Sequence, residues 1–297
     1  MSSGPPFRGV YINLERSKKR RAYMDAQLRK LNLQEHYQRF AAIDGRKLQH
    51  RSSHRVRDEV ACLMSHVEAL RSLMKYGKCG HILEDDTELT SYVDPVMTSL
   101  IGNGIFDKFD IVYTEINVVP VPDVISLFKD DVISLFKDKV GRNAFGTLRG
   151  ITDFSIVNLK NVNFSGSNSY FVGSHTIERI IKIFDSEVRN GPILPVDLCL
   201  SKNIKQGTIR AACVIPFLTC ADFDLNAETT IEGREKQSAD KSLAIELLRH
   251  LFFVDMQFDE RLSGLLNQLV GKEMSCLSHQ EYLDAILEKL KNKPVME

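Results

Sequence analysis

Several features that would narrow the function quickly are missing from this chain. It has no charge excess of either sign: 39 Lys and Arg balance 39 Asp and Glu, for a formal net charge of zero. Nucleic acid and anionic membranes usually demand a basic surface, so no global field favours them, and only a local basic patch could. No stretch of about 18 or more apolar residues occurs, so no segment reads as a membrane span. The opening residues, Met1 to Arg8, lack the apolar core of a signal peptide. The six cysteines (Cys62, Cys79, Cys199, Cys213, Cys220, Cys276) never form a C-x-x-C pair, which argues against a zinc ribbon or a thioredoxin site. Reduced thiols in a cytoplasmic protein are the simplest expectation. There is no G-x-x-x-x-G-K-[ST] and no G-x-G-x-x-G, so neither a P-loop nor a dinucleotide fingerprint is supported.

What is present is ordinary globular material: 297 residues, 43% hydrophobic and 26% charged. That length fits one large α/β domain, or one domain with an appendage. Gly9 to Asn13 is β-prone. Ser17 then stands as an N-cap before a helical pattern carried by Met24, Leu28 and Leu31. Phe40 to Ile43 reads as a second strand, closed by the turn pair Asp44-Gly45. Residues 46–58 read as a polar loop. Glu59 to Tyr76 gives the best helix, with Val60, Leu63, Val67, Leu70 and Met74 on one face and Gly77 as its stop. His81 to Leu83, Ile111 to Tyr113 and Tyr170 to Val172 are further strands, and His175 to Phe184 is another helix. Gly191, Pro192 and Pro195 bound an extended segment reaching Asp197. The β-α-β-α-β order predicts a three-layer α/β sandwich with function at the carboxyl ends of its strands. Asp123 to Asp130 is repeated at once as Asp131 to Asp138. Eight residues are too few for a solenoid unit, so this reads as a slip duplication in a tolerant segment. Beyond about Ser238, leucine stripes predict a helical tail, packed on the body or forming a dimer surface.

Three segments carry chemistry. In Ile82-Leu83-Glu84-Asp85-Asp86, three adjacent carboxylates end an apolar strand. Their repulsion, up to about 1 kcal/mol per pair even in water, invites a cation. Oxygen ligands suit Mg²⁺ or Mn²⁺. Strand alternation would put Glu84 and Asp86 on one side. A solvated acidic turn is the plain alternative. Val10 to Ser17 is a strand running into a helix start, a place that favours anions, with Arg16 inside the turn. Lys18 to Arg21 behind it read as a solvated basic face. Cys62-Leu63-Met64-Ser65-His66 sits on the strong helix, and His66 borders its buried face. Such a histidine is commonly structural; alternatively, Ser65-His66 orients a ligand.

Taken together, these residues resemble glycosyltransferase family 25, the family of bacterial lipooligosaccharide β-galactosyltransferases and procollagen galactosyltransferase domains. The matching pieces stand in the family's order: Val10 to Ser17, Phe40 to Gly45, Glu59 to His66 and Ile82 to Asp86, then more thinly Ser169 to Val172 and Pro195 to Asp197. Ala61-Cys62 departs from the family's usual Gly-Cys, and residues 114–163 fit poorly. The resemblance implies a GT-A fold, expected over residues 1–237; the helical extension, residues 238–297, falls outside the match. It implies inverting transfer of a sugar, most expectedly galactose, from a UDP-sugar to a glycan acceptor such as a lipopolysaccharide core. Glu84 and Asp86 would hold Mn²⁺ (or Mg²⁺). Asn13, Leu14, Arg16, Ser17, Asp44, Ser65, His66 and Asp85 would line the donor site. Asp197 is the first candidate for the general base and Glu115 the second, with Asp222 and Asp224 near donor or metal. The expected setting is the cytoplasm, at the inner face of the membrane. The competing readings are a catalytically inactive scaffold of the same fold and an unrelated Mg²⁺-dependent phosphate enzyme.

Overall fold

The computed structural model describes residues 5–48, 54–118, 154–190, 194–222, 225, 249–250 and 252–254. Its elements are β1 (Phe7–Asn13), α1 (Lys18–Lys30), β2 (Tyr37–Ala41), a 3-10 turn (Gly45–Lys47), α2 (His54–Met74), β3 (Cys79–Glu84) and β4 (Thr87–Leu89). They continue through α3 (Val93–Gly102), α4 (Ile105–Lys108), β5 (Ile111–Tyr113), β6 (Asn117–Val118), β7 (Ser155–Asn158), β8 (Phe164–Ser165) and β9 (Ser169–Val172). α5 (Ile177–Asn190), α6 (Val196–Lys205), β10 (Ala211–Ile215) and β11 (Thr219–Ala221) follow.

Among the described residues, seven strands form one sheet in the order β2-β1-β3-β9-β5-β10-β7. β1 pairs in parallel with β2 and β3, and β10 with β5. β9 runs antiparallel between β3 and β5, and β7 antiparallel at the edge. The strands alternate cleanly between two cores, as a sheet covered on both faces requires. Val10, Ile12, Ile82, Ile111, Tyr113, Tyr170 and Cys213 pack with Leu63, Val67 and Leu70 of α2 and Ile180 and Phe184 of α5. Phe7, Tyr11, Leu83, Val112, Phe171 and Val214 pack on the other side with Met24 and Leu28 of α1 and Met97 of α3. The expected three-layer α/β arrangement is therefore present, with a mixed sheet. Among the described residues, no helix is long and apolar enough to cross a membrane.

Several local expectations shift. β2 begins at Tyr37 and ends at Ala41, because Ile43 gives its N–H to Ser65 Oγ instead of a strand neighbour. α2 starts at His54, inside the expected polar loop. Met74 is 45% exposed, and Leu73 is buried in its place. Ser17 occupies the N-cap of α1 but makes no side-chain capping bond. Asp197 lies in the first turn of α6 and not on an extended segment. The duplication at 123–138, Asp224, and the leucine stripes from Leu243 to Leu290 fall outside the described residues.

Candidate active site at the carboxyl ends of the strands

β1, β3, β5 and β10 all point one way, so Asn13, Glu84 and Glu115 emerge along one rim, where β9 begins at Ser169. Alternation then sorts the acidic residues. Glu84 continues the face of Ile82, toward α2. Asp85 continues the face of Leu83, toward α1. The strand ends at Glu84, and Asp85 and Asp86 form the turn into β4, so the alternation that would align Glu84 with Asp86 stops there.

On the α1 side, Asn13 Nδ2 donates to Asp85 Oδ2 at 2.6 Å, and Arg20 Nη1 reaches Asp85 Oδ1 at 2.8 Å and Asp86 Oδ2 at 3.1 Å. The second Arg20 nitrogen donates to the Leu225 carbonyl at 2.6 Å. Arg20 is 8% exposed, which corrects the reading of Lys18 to Arg21 as a wholly solvated face. A signal was available: Arg20, Met24 and Leu28 step by four, so the buried stripe of α1 extends back one turn onto Arg20. Arg39 completes this corner by donating to Asn13 Oδ1 at 2.8 Å and pairing with Glu15.

On the α2 side, Glu84 Oε1 accepts from Ser167 Oγ at 2.9 Å and stands 3.7 Å from His66 Nε2. His66 is fully buried; its Nδ1 lies 2.9 Å from Tyr170 Oη, and the two rings stack. Ser65 is a clip between elements: its hydroxyl donates to the Ala61 carbonyl and accepts from the Ile43 amide.

The loop from β8 to β9 ties the rim together. Gly166 N donates to Asp197 Oδ2 at 3.4 Å, Ser167 to Glu84, and Asn168 Nδ2 to Asp86 Oδ1 at 3.3 Å. Gly166 has φ +102, and a Cβ there would meet the Asn117 amide at 3.3 Å, so this linkage calls for glycine. Asp197 Oδ1 also accepts from the Leu198 amide at 2.9 Å, in a first helical turn that favours negative charge. Glu115 is 2% exposed; its Oε2 accepts from Arg249 at 2.6 Å and from the Ala221 amide at 3.1 Å. Asp222 lies against the acidic turn, its N–H donating to the Asp86 carbonyl at 2.7 Å. Arg16 and Asp44 pair with each other at 2.5 Å, joining the turn after β1 to the 3-10 turn, while Leu14 accepts the Ser17 amide. Arg46, then Arg16, hold the Asp44 carboxyl well below the usual carboxylate range.

The electrostatics single out Asp86. Burial, then the neighbouring Glu84, push its carboxyl up to about 7 despite Arg20. Asp85 is also raised, chiefly by burial. For Glu84 burial acts upward, but His66, Ser167 and Arg20 outweigh it and hold it low. A buried carboxylate kept from ionising by its own neighbours is what a hard cation would relieve. The donor set, all oxygen, fits Mn²⁺ or Mg²⁺.

Open α/β sheets bind their ligands at such carboxyl-end rims, and the acidic turn makes this one suited to a metal and an anionic ligand. A family model described as glycosyltransferase family 25 (LPS biosynthesis protein) matches residues 9–200, about two thirds of the chain. The chain belongs to that family and is a glycosyltransferase. A search of curated proteins finds no match.

Proposed function

We propose that the protein is an inverting, UDP-sugar-dependent hexosyltransferase of GT-A type that transfers galactose to a glycan acceptor of the lipopolysaccharide-core kind. The observation that carries this reading is the run Gly166-Ser167-Asn168, whose three residues bind in turn Asp197, Glu84 and Asp86. A base and an acidic cation site held by one short loop are what transfer with inversion needs.

Glu84 and Asp86 would hold Mn²⁺, which would neutralise charge on the departing diphosphate. Asp85, fixed by Asn13 and Arg20, would position the ribose or sugar. The Asn13 to Ser17 turn, with Arg16 and Asp44, would line the nucleotide pocket. Asp197 would take the proton from the acceptor hydroxyl: it is partly exposed and held by two amides, whereas Glu115 is buried against Arg249. Glu115 would instead position Arg249 beside the acidic turn, where Arg249 lowers the Asp86 carboxyl.

Calorimetry with UDP and Mn²⁺ tests the donor site. Asp86→Ala should lose Mn²⁺-dependent UDP binding, and a variant binding like wild type would overturn the assignment. Asp197→Asn should lower turnover by about 10²–10⁴-fold while sparing donor affinity; unchanged turnover removes it as the base. Screening UDP-sugars for Mn²⁺-dependent hydrolysis identifies the sugar, and wild-type inactivity on all of them would favour the scaffold alternative.

A further inference from the structure

Cys62 and His66 are four residues apart on α2, so their side chains share one face of the helix. Glu84 meets that face from the tip of β3. The ligand atoms of the three residues all lie within 4.8 Å of one another. His66 Nε2 is fully buried and makes no hydrogen bond among the described residues, and its distance of 3.7 Å to Glu84 Oε1 is too long for one. An orphaned imidazole nitrogen beside a carboxylate and a thiol is costly unless something occupies the gap.

We infer that Cys62, His66 and Glu84 form a zinc site with an open fourth position, beside the hard-cation site at Asp86 and sharing Glu84 with it. In tetrahedral zinc centres with bonds of about 2.0–2.3 Å, neighbouring ligand atoms stand roughly 3.3–3.7 Å apart. For a nitrogen and an oxygen ligand the edge is about 3.3–3.4 Å, so the His66–Glu84 separation of 3.7 Å needs a closure of a few tenths of an ångström, which the Glu84 side chain can make. The chemistry matches as well, since thiolate and imidazole select zinc over Mn²⁺ or Mg²⁺. Tyr170 supplies the support such a ligand requires. With His66 Nε2 on the metal, the imidazole must carry its proton on Nδ1 and donate it to Tyr170 Oη, while the ring is held by stacking. The Glu84 side chain keeps 30% exposure, so the fourth position opens to solvent, as in zinc centres that bind water or substrate. Binding releases the Cys62 thiol proton to solvent. Glu84 contributes Oε1 here and retains Oε2 for the acidic turn, so the inference goes beyond the donor reading and does not depend on it.

Cobalt(II) titration of the metal-free full chain tests this directly. In wild type an intense thiolate-to-cobalt charge-transfer band should saturate at one equivalent, and stoichiometric Zn²⁺ should abolish the band. Cys62→Ser should lose the band, Asp86→Asn should keep it, and Tyr170→Phe should bind Zn²⁺ about 10–100-fold more weakly. No band in wild type, or an undiminished band in Cys62→Ser, overturns the assignment. Mass spectrometry gives a readout that needs no variant: Zn²⁺ should slow alkylation of Cys62 in wild type, and unslowed alkylation also overturns it. Failure of UDP and Mn²⁺ to bind wild type would sink the donor reading and leave the cobalt band untouched.

Discussion

The two ends of the central sheet solve the same electrostatic problem differently. Just before β5, Asp110 is fully buried, with Arg210 at 2.9 Å, Arg179 at 2.5 Å and the Arg210 amide at 2.8 Å. Burial alone would raise its carboxyl; the two arginines outweigh burial and hold it low. At the opposite end, Glu84, Asp85 and Asp86 gather around Arg20, and Asp85 and Asp86 are both raised. The residue types are alike and only the ratio of cations to carboxylates differs. Where positive charge is in surplus, the cluster is complete and ties α5 and the start of β10 to β5. Where it is deficient, burial and mutual repulsion raise the carboxyls, and that is the end at which we propose the cation and the transfer chemistry.

Three perturbations should separate these ends. The largest effect is expected for Arg20→Leu, which strips the acidic turn of its buried arginine. Urea denaturation should show a loss of about 3–5 kcal/mol, the usual cost of breaking a buried pair, and added Mn²⁺ should restore part of it. A loss below about 1 kcal/mol would mean that the turn is not strained by its own charge. Asp110→Asn should cost less, about 1–3 kcal/mol, because Arg179 and Arg210 are each about half exposed and can rehydrate. Its UDP–Mn²⁺ binding should equal wild type; weakened binding would make Asp110 more than a structural knot.

The smallest effect, and the one opposite in sign, belongs to Asp86→Asn in metal-free protein. A carboxyl raised to about 7 in the fold binds more protons there than in the unfolded chain. Its ionisation therefore destabilises the fold, fully above pH 7 and progressively less as pH falls toward the ordinary carboxylate range. Asp86→Asn should raise the thermal midpoint at pH 8, and the gain should shrink with acidification. A lower midpoint at pH 8 would show that Asp86 stabilises the fold without metal.

Much of the layered fold could be read from local pattern. Val60, Leu63, Val67 and Leu70 announced the buried face of α2, and Ile177, Ile180, Ile181 and Phe184 that of α5, because helical spacing alone decides which side chains share a face. β9 could be recognised as a strand but not placed, since antiparallel insertion between β3 and β5 is a matter of long-range pairing. β10 escaped notice although buried along its length, because Ala211 to Ile215 is a short continuous apolar run without alternation. At the site, Glu84, Asp85, Asp86 and His66 stood out by residue type. Ser167 and Asn168 did not, because a polar loop looks the same whether or not it braces a carboxylate.

From the sequence alone came the residue types at the rim, the alternation that points each strand side chain up or down, and the ordered motifs of the family. These are local properties, set by spacing along the chain. Only the tertiary structure decided that Arg20 closes on Asp85 and Asp86, that one loop reaches Asp197, Glu84 and Asp86 together, and that Cys62 and His66 face Glu84. Each of those contacts joins residues far apart in the chain, and strand order, which no local periodicity encodes, determines which distant residues meet.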